Sequence, residues 1–585
     1  MKTLNIYKYL LLSVAIGLNI SCDKMLDNLP GDKLYPETYF TNEQEIKLFT
    51  NKFYDLIPTA ETLGKENADV IIINELLPEI SGQRVVPASG GGWSFSTLRD
   101  INFYLEHAEN NPNEQVREKY NSVARFFRAF FYFEKLKRFG EVPWYDIALN
   151  SNDPEIYKPR DSREFVVQKI LEDLDYAIEN GPAEKSLYRI TKWTAMALKS
   201  RVTLFEGTFR KYHQIEGADK YLEICAAVSG EFINTSGYGI YKSGDKPYFD
   251  LFSTFSNRPE EYILARDYDE SLTISHSLQQ YLNSSTGGRP GLSKKVVNSY
   301  LMKDGSRFTE KPGFDKLGFY EETQDRDPRL GQTIRTPGYV AIGDSNPSAP
   351  NLAFTLTGYH IIKFTNDKKY DTMKGYNDFP IFRTAEIFLN YAEAKAELGT
   401  LTQADLDMSI QPLRDRVGMP SISLVESNNN PDPYLSSETT GYPNVTGANK
   451  GVILEIRRER TIELIMEGFR YYDIMRWKEG KLFEKPFLGM YIEGLGVYDF
   501  DKDGKNDVCF YTGSRPNVSA TLFLEVGKQI ELSEGDKGNI LVHGLIERKW
   551  DEERDYLYPI PIQERSLTNG VITQNPGWID GLNFN

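Results

Sequence analysis

The sequence predicts a mainly α-helical protein: a scaffold of paired, tetratricopeptide-like helices that carries a large loop-rich portion and a few short β-strands. Three observations lead there. Apolar residues recur at helical spacing between residues 42 and 232 and again between 382 and 478. The stretch from about 235 to 380 is dominated by Gly, Pro, Ser and Asn with short β-like runs. The last hundred residues hold loops and short strands, ending in "YLYPIPIQE" and "TQNPGW".

The elements follow in order. Thr41 and Gln44 form a capping-box pattern ahead of Ile46, Phe49, Phe53 and Ile57, which predicts a helix over 42–57 closed by Pro58. The run from 113 to 144 places Val116, Tyr120, Val123, Phe127 and Phe130 on one face and stops at Gly140 and Pro143, so it is a long helix with an aromatic side. Ser162 caps a third helix with Val166, Ile170, Leu174 and Ile178 inside, ended by Gly181 and Pro182. Thr191 opens a fourth, apolar on two sides (Trp193, Ala197, Leu204; Ala195, Leu198, Val202, Phe205), as a helix sandwiched between neighbours must be. Ala218 to Phe232 completes a series of consecutive helices with alanines at their crossings, although no strict 34-residue repeat aligns. Helical pattern resumes over 382–399, with Ala385, Leu389, Ala392 and Ala396 on one face and Gly399 as C-cap. Thr402 and Asp405 open the next helix, and a final one is predicted over 451–478.

The chain divides accordingly into a leader (1–21), a tether (22–40), an N-terminal helical part (41–245) and a C-terminal part (246–585). The last comprises loops over 246–380, helices over 381–480 and a tail of loops and short strands over 481–585. Lys2 and Lys8 followed by the apolar stretch Tyr9–Ile20 have the layout of an export signal, too short to span a bilayer. Ser21–Cys22 at its end resembles a lipoprotein signal, in which cleavage leaves Cys22 as the lipidated residue. Cys225 and Cys509 are too few and too far apart for a disulfide framework and read as buried free thiols. Loss of Lys2 and Lys8 with the leader deepens the net charge from −16 to −18, which disfavours nucleic acid as a partner. No later stretch approaches 18 consecutive apolar residues.

Three motifs bear on chemistry. In "EIRRERTIELIMEGFRYYDIMRW" (455–477), Glu459, Glu463 and Glu467 step by four, with Arg460, Arg470 and Arg476 within reach. Paired carboxylates serve glycosidases, but matching arginines point to a structural ion-pair network. Gly468 in mid-helix implies close approach of another backbone. In "YDFDKDGKNDVCFY" (498–511), Asp499, Asp501, Asp503, the Lys505 carbonyl and Asp507 take calcium-loop positions 1, 3, 5, 7 and 9, with Gly504 at the sixth. Phe510 stands where the bidentate Glu belongs, and the Asp-Gly pair fits a plain β-hairpin equally well. No cofactor is otherwise required, and a structural calcium is what this loop would hold. In "ASGGGWSFSTLRDIN" (88–102) three glycines precede Trp93 and Phe95; a loop of this kind can present an aromatic face to a sugar, and Trp93 can equally pack in the core. The five histidines are scattered, with no HExxH, GxSxG or P-loop pattern.

The helix at 455–477 resembles the ERxxELxxEGxRxxDxxRW pattern of SusD-like (RagB/SusD) outer-membrane lipoproteins through Glu459, Arg460, Glu463, Leu464, Glu467, Gly468, Arg470, Asp473, Arg476 and Trp477. "ARFFRAFFYFEKLKRFGEVPW", "YLMKDG", "RDPRL", "FRTAEIFLNYAEA", "YPIP" and "QNPGW" are similar to that family in the same order. The resemblance implies a non-enzymatic nutrient-binding protein, lipid-anchored at Cys22 on the outer surface of the outer membrane. It would capture oligosaccharides or polysaccharide and deliver them to a SusC-like TonB-dependent transporter. Peptide capture, as in a RagB-like lid of a peptide importer, is the first alternative, and a surface glycoside hydrolase the second. The family's site draws aromatics from the first glycine-rich loop and the middle loops, which implies Trp93, Phe319 and Tyr320 here, with Arg99 and Asn102 as hydrogen-bonding partners.

Overall fold

The computed structural model describes residues 39–150, 152–253, 255, 258–372 and 374–584. The leader and the expected Cys22 anchor lie outside the described residues. Phe40 is fully buried and meets Phe49 and Tyr104 edge-on, so the packed unit already includes the end of the expected tether.

The N-terminal helices follow their caps. Helix α1 (Glu43–Asn51) is capped by Asn42 rather than Thr41: Asn42 Oδ1 accepts from the Glu45 amide, while the Glu45 carboxylate accepts from the Thr41 amide, 3.0 Å away. The box is therefore built one residue later than the sequence pattern suggests, and the helix tightens into a 3₁₀ turn over Lys52–Leu56. Helix α2 (Ser96–His107), which the sequence reading did not predict, starts without any side-chain cap. Helix α3 (Glu114–Phe139) starts at Asn113 and stops at Gly140, whose φ of 73° suits glycine. Helix α4 (Arg163–Asn180) is capped by Ser162, and α5 (Lys192–Tyr212) by a Thr191–Thr194 box. Helix α6 (Ala218–Thr235) lies along α5, as α4 lies along α3.

The α5–α6 approach is close: a Cβ on Gly207 would stand 2.7 Å from the Leu222 side chain. Ser200 of α5 bonds Ser229 of α6 at 2.8 Å and accepts from Asn390, binding a third helix into the same seam. Cys225 lies in that seam, free and fully buried, and burial pushes its thiol up to about 12; Cys509 is likewise buried and free. Both thiols are as the sequence implied.

The middle of the chain contributes only short helices, among them α7 (Lys294–Ser299), before α8 (Thr384–Leu398) and α9 (Gln403–Ser409) return to the scaffold. Helix α8 packs on α6 and on α10 (Lys450–Glu463). The single helix expected over 451–478 is in fact two, α10 and α11 (Arg470–Arg476), separated by a turn in which Met466 and Gly468 have φ of 64° and 80°. A Cβ on Gly468 would lie 2.6 Å from Leu63 Cδ2 and 3.3 Å from its Cα, so the close approach read from the sequence is present, but at a break rather than in mid-helix. Glu66 secures that break by accepting from the amides of Met466 (2.9 Å) and Arg470 (2.7 Å).

Short sheets close the scaffold. Strand β1 (Tyr262–Arg266) pairs antiparallel with β2 (Phe379–Arg383). In the tail, β3 (Phe487–Ile492) pairs with β7 (Gly538–Val542), and β4 (Gly496–Tyr498), β5 (Val508–Tyr511) and β6 (Leu522–Glu525) form a three-stranded sheet. No described helix is long and apolar enough to cross a membrane.

Candidate functional site

The glycine-rich loop is held rather than free. The Gly92 carbonyl accepts from Lys135 and the Gly91 carbonyl from Arg138 Nε at 3.0 Å, both on α3. Trp93 is only 7% exposed and lies edge-on to Phe139 at 4.9 Å and to Phe95 at 5.5 Å. The expectation of a solvent-facing Trp93 is thus corrected: the positive-φ turn at Gly90–Gly92 folds the indole inward, where its large apolar area is covered.

What remains accessible is Phe95. It is half-buried, edge-on to Phe131 and Tyr145, and lines a cavity of about 230 Å³ with Arg99, Asn102, Tyr145, Ile147 and Leu149. Arg99 stands exposed at the rim and donates to the Leu149 carbonyl (3.0 Å) and Asn150 Oδ1 (3.2 Å). Asn102 is fully buried, so its expected role is corrected as well. Its amide donates to the carbonyls of Tyr145 and Ile147, and its oxygen accepts from Arg128, itself clamped by Asp173. Asn102 therefore positions the Tyr145–Ile147 wall, with both amide hydrogens committed and its oxygen held by Arg128. Tyr145 was missed by the sequence reading, because it follows Pro143 and Trp144 in a loop with no local pattern.

Phe319 is also corrected. At 2% exposure it packs on Phe500 (5.8 Å) and Tyr359 and anchors the aspartate-rich loop from beneath. Tyr320 is half-buried, with Lys502 Nζ 4.0 Å over its ring; Lys502 also pairs with Glu321. The structure thus joins Phe319 and Tyr320 to the 499–507 loop. No hydrogen bond, ion pair or ring contact among the described residues joins them to Phe95, Arg99 or Asn102.

Of the expected calcium ligands, Asp499, Asp501 and Asp507 place carboxylate oxygens within 4.8 Å of one another. Asp503, contrary to expectation, is not part of that group: its carboxylate receives both the Lys505 amide and its ammonium. Phe510 is buried on β5. Burial and the neighbouring aspartates push Asp507 up to about 6, and Asp501 moves in the same direction, burial being the first cause for each. A hard cation could take three carboxylates here.

The carboxylates of α10 and of the turn that follows it are structural. Glu459 is paired with Arg329 and Arg414; Glu463 with Arg329, Arg383 and Arg416; Glu467 with Arg383 and Lys363. With Glu261 on Arg383 and Arg416, and Asp327 on Arg329, five acids face five bases inside the protein. The partners come from other elements, not from Arg460, Arg470 and Arg476 as the helical spacing suggested. Those three reach Asp473, Asp69 and Glu393 instead. Compensation holds Glu463 well below the usual carboxylate range, with its arginines opposing the effect of burial, so none of the three is poised to give or take a proton.

Comparison with known proteins agrees with this architecture. Residues 256–578 match the model of the SusD family, and residues 94–204 match one described as starch-binding, associating with the outer membrane. SusD-like protein P38 of Formosa agariphila is 24% identical over 84% of this chain and 94% of its own length; a SusD-like protein of Bacteroides ovatus is 23% identical over 80% and 82%. Among solved structures, a SusD-like protein of Bacteroides fragilis superposes with a TM-score of 0.68 at 22% identity, covering 94% of this chain and 100% of that one. A SusD-like carbohydrate-binding protein of the same species gives 0.66 at 21%, covering 91% and 99%. A family match over more than half of the chain, with relatives and structures aligned along nearly all of it, establishes that the chain belongs to the SusD family.

Proposed function

We propose that this protein is a carbohydrate-capture lipoprotein of the outer membrane, tethered through Cys22, which passes oligosaccharides to a SusC-like TonB-dependent transporter without cleaving them. The observation that carries the reading is that the segment matching the starch-binding description, 94–204, contains the open Phe95–Arg99–Tyr145 cavity. Half-buried aromatic edges beside an exposed guanidinium suit a sugar, whose C–H face packs on a ring while its hydroxyls meet polar groups at the rim. A solved neighbour containing a xylogluco-oligosaccharide, with a TM-score of 0.56, supports the same class of ligand. The balanced carboxylates of α10 favour binding over hydrolysis, which needs an accessible acid and base across a cleft.

The test is affinity electrophoresis of the chain from Asp23 onward through gels containing plant, host and microbial polysaccharides, with the polymers analysed afterwards. Retardation by at least one intact polymer is expected. Retardation by none overturns polysaccharide capture, and fragmented polymer overturns the non-catalytic reading.

A further inference from the structure

A second cavity, of about 280 Å³, lies between α7 and the short helix Pro433–Ser436 that carries Tyr434. It is remote in sequence from the Phe95 cavity and built differently. Two polar side chains that line it are almost entirely buried and carry atoms without a partner: Ser293 Oγ, on a residue 2% exposed, and Asn298 Oδ1, on a residue 6% exposed. Ser293 occupies the N-cap position of α7, yet its hydroxyl makes no capping bond. Much of the buried polarity beside them is already committed. Lys294 pairs with Glu322 and Lys295 with Asp69, while the Asn298 side chain also bonds the Tyr434 hydroxyl. Phe314 stands edge-on to Tyr434 at 6.2 Å, giving the cavity an aromatic wall.

These features define the occupant. An unpaired buried carbonyl oxygen is costly and needs a donor, and a free serine hydroxyl can give or accept one bond. Lys294 and Lys295 are neutralised, and the two further ionisable groups on the lining, Lys485 and the exposed Asp315, are of opposite sign, so the site offers no net charge for an anion. The volume lies just under the range of roughly 300 to 1,000 Å³ that holds drug-sized ligands, which limits the occupant to about one ring. Aromatic rings favour an apolar face on it. We propose that this cavity is a second carbohydrate subsite that takes one uncharged sugar ring, with a sugar hydroxyl donating to Asn298 Oδ1, another meeting Ser293 Oγ, and the ring face against Phe314 and Tyr434. The subsite deepens the capture reading above and rests on it.

Saturation-transfer NMR of the full chain, with D-glucose, D-galactose, D-mannose, D-xylose and their β-linked tetrasaccharides as probes, tests it alongside the polysaccharide gels. Transfer to a free monosaccharide assigns the cavity to single units, and transfer only to one end ring of a tetrasaccharide assigns it to a chain terminus; either supports the inference. Ser293→Ala and Asn298→Leu should each weaken that transfer by roughly three- to tenfold, the loss of one neutral hydrogen bond. Ser293→Ala should melt no lower than the parent, because its hydroxyl bonds nothing in the protein. Transfer to no probe, or transfer unchanged in Ser293→Ala, overturns the subsite even where a polysaccharide retards the chain and capture stands. Sugar binding that depends on Ser293 in a chain retarded by no polymer upholds the subsite and removes polymer capture alone.

Discussion

Arg383 Nη1 lies 2.8 Å from Glu463 Oε1, at the point where strand β2 meets the end of helix α10, and both side chains are almost wholly excluded from solvent. The same guanidinium also reaches Glu467 and Glu261, so one cation holds three carboxylates from three segments. Deleting it leaves acids buried and unmatched, which is far more damaging than replacing a whole pair. Arg383→Met should lower the unfolding free energy by about 3–5 kcal/mol. Urea denaturation checks this, and a loss under 1 kcal/mol would mean that the neighbouring cations reorganise to take over.

Much of this was legible in the sequence. Ser162, Thr191 and Thr402 are where helices begin because each offers a side-chain oxygen to a free amide, a local event that a single sequence records. The break at 464–469 was not legible: Gly468 departs from helical geometry because Leu63, some 400 residues earlier, occupies the space its Cβ would need. The burial of Trp93 was hidden for a related reason, since Lys135 and Arg138 reach across from α3 to fold the glycine loop inward. Such long-range contacts leave no periodic trace, and the unpatterned Tyr145 became visible only through Asn102.

Gly468→Ala provides a direct test of the break. The added methyl meets Leu63 at 2.6 Å and the residue must hold a φ of 80°, so it adds a steric clash to backbone strain. A loss of about 2–4 kcal/mol is expected. If the variant instead melts at or above the parent temperature, α10 and α11 can join into one helix at little cost.

Glu66 makes the stability of this region depend on pH. Burial pushes its carboxyl up to about 7, against the opposing effect of the Arg470 and Met466 amides. A folded value above the unfolded one means that the native state holds the proton more tightly. The contribution is therefore complete below about pH 4.5 and is lost as pH rises through 7. The full swing is on the order of 3 kcal/mol. Glu66→Gln should flatten the fall in stability between pH 5 and 8, as read by melting temperature against pH; an unchanged slope would assign that fall to other groups.

The 499–507 loop leads to a prediction of the same sign. Asp507, pushed up to about 6, and Asp501 both resist ionisation, so the loop should loosen as pH rises from 4 towards 6.5 when no cation is present. Millimolar calcium would offset that repulsion. Limited proteolysis at pH 7.5 should cut near Lys502 and Lys505 in chelator and be slowed by calcium. Equal cleavage in both conditions would leave the loop as a β-hairpin turn with no ion.

Trp93 and Phe95 are neighbours in sequence but should separate in function. The buried indole is packed against Phe139, so Trp93→Ala should cost about 3–5 kcal/mol of stability through the cavity it leaves. Phe95 is half-buried at the open cavity, so Phe95→Ala removes less packing and exposes the site where a sugar ring would rest. It should weaken retardation by the preferred polysaccharide about tenfold, as expected for loss of an aromatic contact of roughly 1.4 kcal/mol, with the protein still folded. Denaturation and gel retardation are measured on both variants. Unaltered retardation of Phe95→Ala would remove this cavity from the binding surface, whereas weaker retardation without loss of stability in Trp93→Ala would restore the indole as the platform.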